Sequence, residues 1–426
     1  MKGISMNHYR FPENKLVKLC FPLFLLILQM VSRSTMYTST FLGFGLSQAI
    51  MIGMILLTGI LFLIYNRKNL KAVFLDRRML LFVAVAVIIL LPMLVKKDWQ
   101  LMYFTILLYW FFAVFLTYFT SAEELGKYYV HIMTLVCFVN LLGMFVLKPM
   151  VHAGLIPGNP FDSPGGWHML NFGLTFVCDK NLHMVNALRA FGIFREPGLF
   201  QIFLFVAIQL NNYIVQWDKQ WKMWVVDVIL FFSMLTTFAT GGVLALGLYI
   251  VFLFFDKDLY QNKKVRKLAA VTVIFGILML VVAILHGGSW AYELIGMVEK
   301  FVYRSYSFDA RVESVITDAE FFVSHPFFGA DMQEVVYSVD NNTATSPILF
   351  AVLGILGGCL HVLSWAALAW KKERHWLMNL MLMVILFVPF NTQNVMGDMF
   401  FWLFPAMALA QQCLYRMDRI LIKKKG

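Results

Sequence analysis

Long apolar runs recur along the whole chain, separated by short breaks that carry charged residues, glycine or proline. Runs of about 15 to 26 residues have the length of a helix that crosses a hydrocarbon layer roughly 30 Å thick. The pattern therefore predicts an all-α polytopic membrane protein of about twelve transmembrane helices. The predicted spans are 16–36, 40–65, 79–95, 101–120, 128–147, 198–215, 221–238, 241–255, 268–286, 345–370, 376–392 and 397–415.

The apolar run 221–255 is long enough to form either one helix or two helices broken at 236–242. Lys219 and Lys222 stand at its start, and a basic cluster at 257–267 follows it. Basic residues mark the cytoplasmic side of membrane helices. Both flanks are therefore predicted to be cytoplasmic, so the run crosses twice and both chain termini lie inside.

Composition agrees with this interpretation, since 60% of the residues are hydrophobic and only 14% are charged. A soluble globular protein carries about 25% charged residues, so that class is excluded. The predicted cytoplasmic segments hold 25 of the 35 lysine and arginine residues. The net charge of +11 therefore reflects the membrane topology and contacts with anionic membrane lipids. Nucleic acid is not needed as a partner to explain it.

The spans and loops divide the chain into five parts. Transmembrane helices 1 to 5 occupy 1–147, the first long external loop 148–197, helices 6 to 9 the part 198–286, the second long loop 287–344, and helices 10 to 12 with a basic tail 345–426. Long loops usually carry function. Both are predicted on the same side of the membrane, so a site formed between them would face the periplasm.

The first long loop ends in an arginine-rich motif directly before a predicted span. Its histidines, His152, His168 and His183, match no zinc-ligand spacing. Pro197 suits the first turn of a helix, with Glu196 near the cap. Arg189 and Arg195 then lie beside a helix N-terminus, and this combination favours an anion.

The second long loop contains an amphipathic pattern over 312–323 that ends before His325 and Pro326, and it predicts an external helix. Arg304 and Arg311 add two more external guanidinium groups, whose planar fork suits the oxygens of a diphosphate. The alternative for the external arginines of both loops is that they contact phospholipid headgroups. The acidic residues of the helix, among them Asp318, are interpreted as a solvated face.

These segments resemble two signatures of the O-antigen polymerase and ligase superfamily. The first is Arg189-x-x-Gly192-x-Phe194-x-Glu196-Pro197, and the second runs from Arg311 to His325-Pro326-Phe327-Phe328-Gly329. The break at 236–242 and the Gly354-x-x-Gly357 span are also similar to the family pattern.

The resemblance implies a membrane glycosyltransferase of GT-C-like architecture in the bacterial inner membrane. It would act on undecaprenyl-diphosphate-linked glycans, as donor and acceptor, with no metal and no cofactor. Arg189 and Arg311 would grip the donor diphosphate, and Glu196 is the candidate to orient or deprotonate the acceptor hydroxyl. The candidate substrate-binding residues are Arg195, Arg304, His325, Asn341 and Asn342, and the two asparagines have the alternative of simple turn residues.

Within this family the ligases carry a His-Asn pair near the end of the large loop, where this chain reads Asp340-Asn341-Asn342. The missing histidine favours a Wzy-type polymerase of polysaccharide repeat units, and a chain-length regulator protein would fit as a further partner. A ligase is the second hypothesis. A transporter or lipid flippase is the third, disfavoured because 1–215 and 216–426 show no internal repeat.

Overall fold

The structure, a computed structural model, describes residues 15–65, 76–164, 166–181, 189–256, 306–339 and 342–423. Helices dominate this part of the chain. They are α1 (Lys15–Met30), α2 (Phe44–Tyr65), α3 (Arg77–Lys96), α4 (Leu101–Leu116), α5 (Ala122–Leu142, prolonged by the π-helical turn Gly143–Leu147 and the α-helical turn Lys148–His152), α6 (Pro197–Tyr213), α7 (Gln220–Thr236), α8 (Thr240–Asp256), α9 (Tyr306–Ser324), α10 (Met332–Tyr337), α11 (Thr345–Ala369), α12 (Trp376–Phe390) and α13 (Met399–Lys423).

Eleven of the twelve predicted spans coincide with described helices, and the remaining one, 268–286, lies outside the described residues. Among the described residues, four helices are long and apolar enough to cross a membrane, namely the helices that begin at Phe44, Arg77, Ala122 and Thr345. The other apolar helices in the described residues are shorter. The chain is thus a helical membrane-embedded protein, while its total of twelve spans stays a prediction.

Apolar side chains cover the outside of the helices as well as their interior. On α2 and α3, Leu57, Ile60, Val83 and Val87 are each more than half exposed. Water would make such a surface costly, whereas lipid chains solvate it. The interior is filled by large side chains that are almost fully buried, such as Trp110 and Trp402.

The break predicted at 236–242 is confirmed, because α7 ends at Thr236 and α8 begins at Thr240. Phe238 adopts a positive φ of 48° in the turn between them. The turn faces the arginine motif, since the amide of Ala190 donates a hydrogen bond of 2.8 Å to the carbonyl of Thr236.

The described residues agree with the all-α prediction, and the first long loop adds a small antiparallel sheet that was not predicted. Its strands are β1 (Pro160–Asp162), β2 (Trp167–Asn171) and β3 (Phe176–Asn181), in the order β1-β2-β3. Their inner face packs a separate apolar cluster that includes Met169, Phe176 and Phe191. The turn residues were visible in the sequence, but strands of three to six residues leave too little alternation to detect.

The amphipathic helix of the second long loop is confirmed as α9, but two of its polar residues face inward. Ser314 and Asp318 have no exposed surface, whereas Val312, Ile316 and Val323 are 41%, 54% and 75% exposed. An exposed apolar face suits a helix that touches lipid. The prediction of a solvated face is therefore wrong for Asp318, which points into the protein.

After α9, the turn 325–329 docks into a break in α11. Gly354 has φ 66° and ψ −167°, a backbone region that is essentially restricted to glycine, and the break frees carbonyl groups inside the helix. The amide of Ala330 donates to the carbonyl of Ala351 (2.7 Å), and the amide of Ile355 donates to that of Pro326 (2.8 Å). The turn 325–329 and the break at Gly354 thus form one unit, which we call the joint.

Lys96, the last residue of α3, caps this joint from the other side. Its ammonium donates to the carbonyl oxygens of Ala330 (2.6 Å) and Val352 (2.8 Å) and to the hydroxyl of Tyr103 (2.8 Å). Asp98 accepts from the same hydroxyl and from the amide of Met332. Backbone groups freed by the break are therefore satisfied inside the protein, as an apolar medium requires.

We predict that Gly354→Ala destabilises the protein. A Cβ at this position would clash with the carbonyl group of Phe327, and the backbone conformation alone would cost about 1–3 kcal/mol. Gly247→Ala is the control, since a Cβ there meets nothing within 4 Å. Thermal unfolding in detergent should show a clear loss for Gly354→Ala alone, and equal melting of the two variants would contradict this account of the joint.

Candidate functional site

The arginine motif at the end of the first long loop is an extended segment held on two sides. The amide of Met36 donates to the carbonyl of Ile193 (2.9 Å), and the amide of Arg195 donates to the carbonyl of Ser34 (3.0 Å). On the other side, the amide of Phe176 in β3 donates to the carbonyl of Gly192 (2.8 Å). The segment is therefore fixed between the loop after α1 and the small sheet.

The glycine of the motif is required by both its backbone and its surroundings. Gly192 has a φ of 56°, and a Cβ would lie 3.0 Å from the ring of Phe200. Its amide donates to the side-chain oxygen of Asn140 at 2.8 Å. Phe194 stacks on Phe203 with ring centroids 4.8 Å apart. These contacts anchor the motif, so that the next two residues project from a rigid base.

Glu196 is the N-cap of α6, and Pro197 is its first residue, as the sequence predicts. The carboxylate of Glu196 accepts a hydrogen bond from Gln393 (3.2 Å) and lies 4.0 Å from Nε of Arg195. The charge of this carboxylate also acts on Arg311 of α9. Burial lowers the pKa of Arg311, and the negative charge of Glu196 opposes that shift. Both long loops therefore contribute to one charged cluster.

Arg195 and Arg311 share an unusual feature. In each, the Nε atom is buried and makes no hydrogen bond within the part of the chain that the structure describes. A buried donor without an acceptor costs about 1–3 kcal/mol. Two such donors beside one carboxylate form an environment that a further anion would stabilise.

A cavity of about 320 Å³ opens next to this cluster. Loops and helix ends from one end of the bundle surround it. They are the loop after α1, the start of α4, the arginine motif, the short helix α10 and the loop before α13. Its polar wall residues are two arginines, one aspartate, three amides, a serine and a tyrosine, namely Arg33, Arg195, Asp398, Gln100, Gln333, Asn394, Ser34 and Tyr337. The cavity therefore combines positive charge with hydrogen-bonding groups.

Arg33 was not among the residues that the sequence singles out. Burial and, next, the charge of Arg195 lower its pKa, while Tyr109 and Asp398 act in the opposite sense. Both arginines line the same cavity, although they are more than 160 residues apart in the sequence. The available signal was positional, since Arg33 is a basic residue at the predicted external end of a span.

Arg189 lies apart from the cavity wall. Its guanidinium carbon stands 5.9 Å from the centre of the Trp167 ring, on the side of the sheet. It is not among the residues that line the cavity. The structure thus joins Arg195 and Glu196 to Arg311, and it gives Arg189 a different neighbour. Arg304 and Asn341 lie outside the described residues.

The two remaining predicted residues have local partners. His325 is exposed and contacts the hydroxyl of the adjacent Ser324 at 3.2 Å. Asn342 is buried, and its amide nitrogen donates to Asp318 (2.8 Å) and to the carbonyl of Val335 (3.2 Å), while its oxygen accepts from the amide of Ala344. All of the hydrogen-bonding groups of the Asn342 amide are thus used to join α9, α10 and α11.

Metal ligands do not gather in the described part of the chain, where no group of three His, Cys, Asp or Glu residues could hold an ion. His152 instead pairs with Asp179 (2.6 Å), and His168 pairs with Asp162 (2.7 Å). The cationic groups at the cavity are arginines, which remain charged at any physiological pH.

Chemically, the arrangement suits a multiply charged anion. Guanidinium groups, unpaired donors and the N-terminus of a long helix meet at one end of the bundle. Glu196 adds a carboxylate that can accept a proton or orient a hydroxyl group. Comparisons with protein-family models, with curated proteins and with solved structures found no match to this chain.

We predict that Asp318 makes stability depend on pH. Burial raises its pKa from 3.8 to about 7, although the hydrogen bond from Asn342 favours the ionised form. Between these two pH values the folded state holds a proton that the unfolded state has lost. Stability should therefore fall as pH rises from about 4 to about 7 and stay lower above that. Each tenfold difference in proton affinity between the folded and unfolded states is worth about 1.4 kcal/mol.

Asp318→Asn should remove this dependence, because the neutral amide resembles the protonated acid. The variant should melt above the wild type at pH 8 and close to it at pH 4.5. Glu320→Gln, an exposed acid on the same helix, is the matched control and should keep the wild-type profile. Parallel melting profiles for Asp318→Asn and the wild type would contradict the raised pKa.

Proposed function

We propose that the protein is a membrane glycosyltransferase that polymerises undecaprenyl-diphosphate-linked oligosaccharide repeat units in the bacterial inner membrane. Its product would be an O-antigen, capsular or other surface polysaccharide. The proposal combines the motif resemblance to the O-antigen polymerase and ligase superfamily with the charged cavity. In it, the cavity faces the periplasm, both termini are cytoplasmic and the architecture is GT-C-like.

One observation carries the proposal: residues from both motif-bearing loops meet beside a single cavity. Arg195 of the first loop and Gln333 and Tyr337 of the second loop line its wall. The charge of Glu196, next to Arg195, also acts on Arg311. A lipid-linked donor brings a diphosphate, which is the leaving group of the reaction. Positive charge fixed at that group stabilises the transition state more than the ground state, because negative charge grows there as the bond breaks.

The proposed reaction is a single displacement. A hydroxyl group of the acceptor glycan attacks the anomeric carbon of the donor sugar, and a new glycosidic bond forms. The bond between that carbon and the diphosphate oxygen breaks, and the lipid diphosphate leaves with the electron pair. The proton of the hydroxyl passes to a base, for which Glu196 is the candidate.

The arginine proposed to contact the diphosphate from the first loop differs from the one that the motif resemblance implies. The motif pattern assigns the donor diphosphate to Arg189 and Arg311. Arg195 is a better candidate than Arg189 for the contact from the first loop, since Arg195 lines the cavity and Arg189 lies over Trp167. We therefore propose Arg195 as the ligand of the donor diphosphate from the first loop. Arg311 does not line the cavity wall either, but the charge of Glu196, next to Arg195, acts on it, so we propose Arg311 as the second ligand and retain Arg189 as a residue to be tested.

Two alternatives predict different products. A ligase would transfer a completed glycan to a lipid acceptor, but the His-Asn pair of the ligases is replaced here by Asn341-Asn342. A flippase or transporter would move a substrate without making a new bond. Purified protein reconstituted with lipid-diphosphate repeats separates these outcomes, because only a polymerase lengthens the glycan.

We predict that Arg195→Ala and Arg311→Ala each slow chain lengthening by at least about tenfold to a hundredfold, as expected for the loss of a charge-assisted bond. Lysine should restore little activity, because it keeps the charge without the paired geometry. Arg189→Ala should cost less. Initial rates and chain lengths on a gel provide the measurement, with Lys372→Ala as the control, an exposed basic residue in the loop between α11 and α12.

Wild-type rates for both Arg195→Ala and Arg311→Ala, at matched thermal stability, would eliminate the diphosphate mechanism. Substrate movement without lengthening would favour the transporter class instead.

A further inference from the structure

Arg33 lies in the loop that follows α1, and this loop is tied to the two elements that flank it at the cavity. The carbonyl of Ser34 accepts from the amide of Arg195, and the hydroxyl of Ser34 donates to the buried carboxylate of Asp398. Thr35 also pairs with Phe194 in an isolated antiparallel bridge. The backbone of Arg195 and of the residue before it is therefore connected to the loop that carries Arg33.

Two guanidinium groups consequently share one cavity wall. Burial is the main cause that lowers the pKa of Arg33, and the charge of Arg195 lowers it further. Asp398 offsets part of this shift, and Glu196 lies 4.0 Å from Arg195. The Nε atom of Arg195 still makes no hydrogen bond to the described residues. A bound anion would relieve both the repulsion and the unpaired donor.

Gly397 provides the space that Arg33 occupies. A Cβ built on Gly397 would lie 2.9 Å from Nη1 of Arg33 and 3.3 Å from its Cδ. Its φ is not in the positive region, so an alanine there would strain no backbone. The nearest obstacles are the ends of flexible side chains, those of Arg33 and Met102. A single methyl group at this position would thus displace Arg33 while the fold is kept.

We propose that Arg33 and Arg195 together bind a diphosphate group in this cavity, with Gly397 and Asp398 as the positioning residues of Arg33. The identification of the diphosphate as that of a lipid-linked donor rests on the proposed function, whereas the anion site itself does not. Arg33 is thereby a ligand from the first loop of the chain, in addition to those of the two long loops.

A diphosphate suits the site better than a single phosphate. The cavity volume of about 320 Å³ accommodates more than one phosphoryl group, and two separate guanidinium groups can each bind one of them in a paired fashion. A phospholipid headgroup is the other source of phosphate at a membrane surface. It carries a single phosphodiester, so it should compete poorly with a diphosphate.

The test is binding of inorganic pyrophosphate to the full-length purified protein in a neutral detergent, measured by titration calorimetry. The wild type should bind it, and Arg33→Ala and Arg195→Ala should each weaken binding by at least about tenfold. Arg33→Lys should recover only part of the loss. Lys372→Ala removes the same charge from an exposed loop away from the cavity and should bind as the wild type does.

Gly397→Ala gives an independent measurement that does not alter the charge. It should weaken binding toward the level of Arg33→Ala, and the double variant Arg33→Ala/Gly397→Ala should be no weaker than Arg33→Ala, because both changes act through one side chain. Unchanged binding in Arg33→Ala would overturn the proposal. Additive losses in the double variant would overturn the role of Gly397.

Competition identifies the source of the phosphate. Inorganic phosphate and phosphatidylglycerol in the micelles should displace pyrophosphate only at much higher concentration, and equal competition by phosphatidylglycerol would make this a headgroup site and overturn the diphosphate assignment. Failure of the proposed function is distinguishable: pyrophosphate binding with no glycan lengthening would leave the anion site in place and remove the polymerase.

Discussion

The docking of the turn 325–329 into the break of α11 is the interaction on which the site depends. A helix interrupted within an apolar environment must satisfy its freed backbone groups internally. Ala330 and Lys96 do so here, and the close approach is possible because Gly329 and Gly354 carry no Cβ. The same joint fixes the end of α9, the helix that carries Arg311, and the start of α10, the helix that forms one wall of the cavity.

The site is organised around positive charge that is only partly compensated. Glu196 and Asp398 offset some of it, and both are themselves held by hydrogen bonds, from Gln393 and from Ser34 respectively. Rigid backbone pairing between 34–36 and 193–195 keeps the arginines in place although like charges repel. Charge fixed in this way can stabilise a leaving group without rearrangement during the reaction.

The sequence predicted the helices well because their signal is strong and local: a run of apolar residues with charged ends hardly depends on tertiary contacts. It also predicted Glu196 as a cap and the end of α9, although α9 begins six residues before the predicted pattern. It missed the small sheet, whose strands are too short for a clear period, and it placed Asp318 in water because a helix pattern does not state which face is buried. Arg33 was missed since no local motif surrounds it. Only the fold brings it to Arg195, and only the fold distinguishes Arg195 from Arg189.

The central claim is that the cavity between the two long loops holds the diphosphate of a lipid-linked substrate. Electron cryo-microscopy of the purified protein, saturated with a short-chain prenyl diphosphate, tests this most directly. We expect density for the diphosphate inside the cavity, within hydrogen-bond distance of Arg33 and Arg195 and on the side of Arg311, with the prenyl chain directed toward the lipid. Diphosphate density at another surface, with the cavity empty at saturating ligand, would contradict the account.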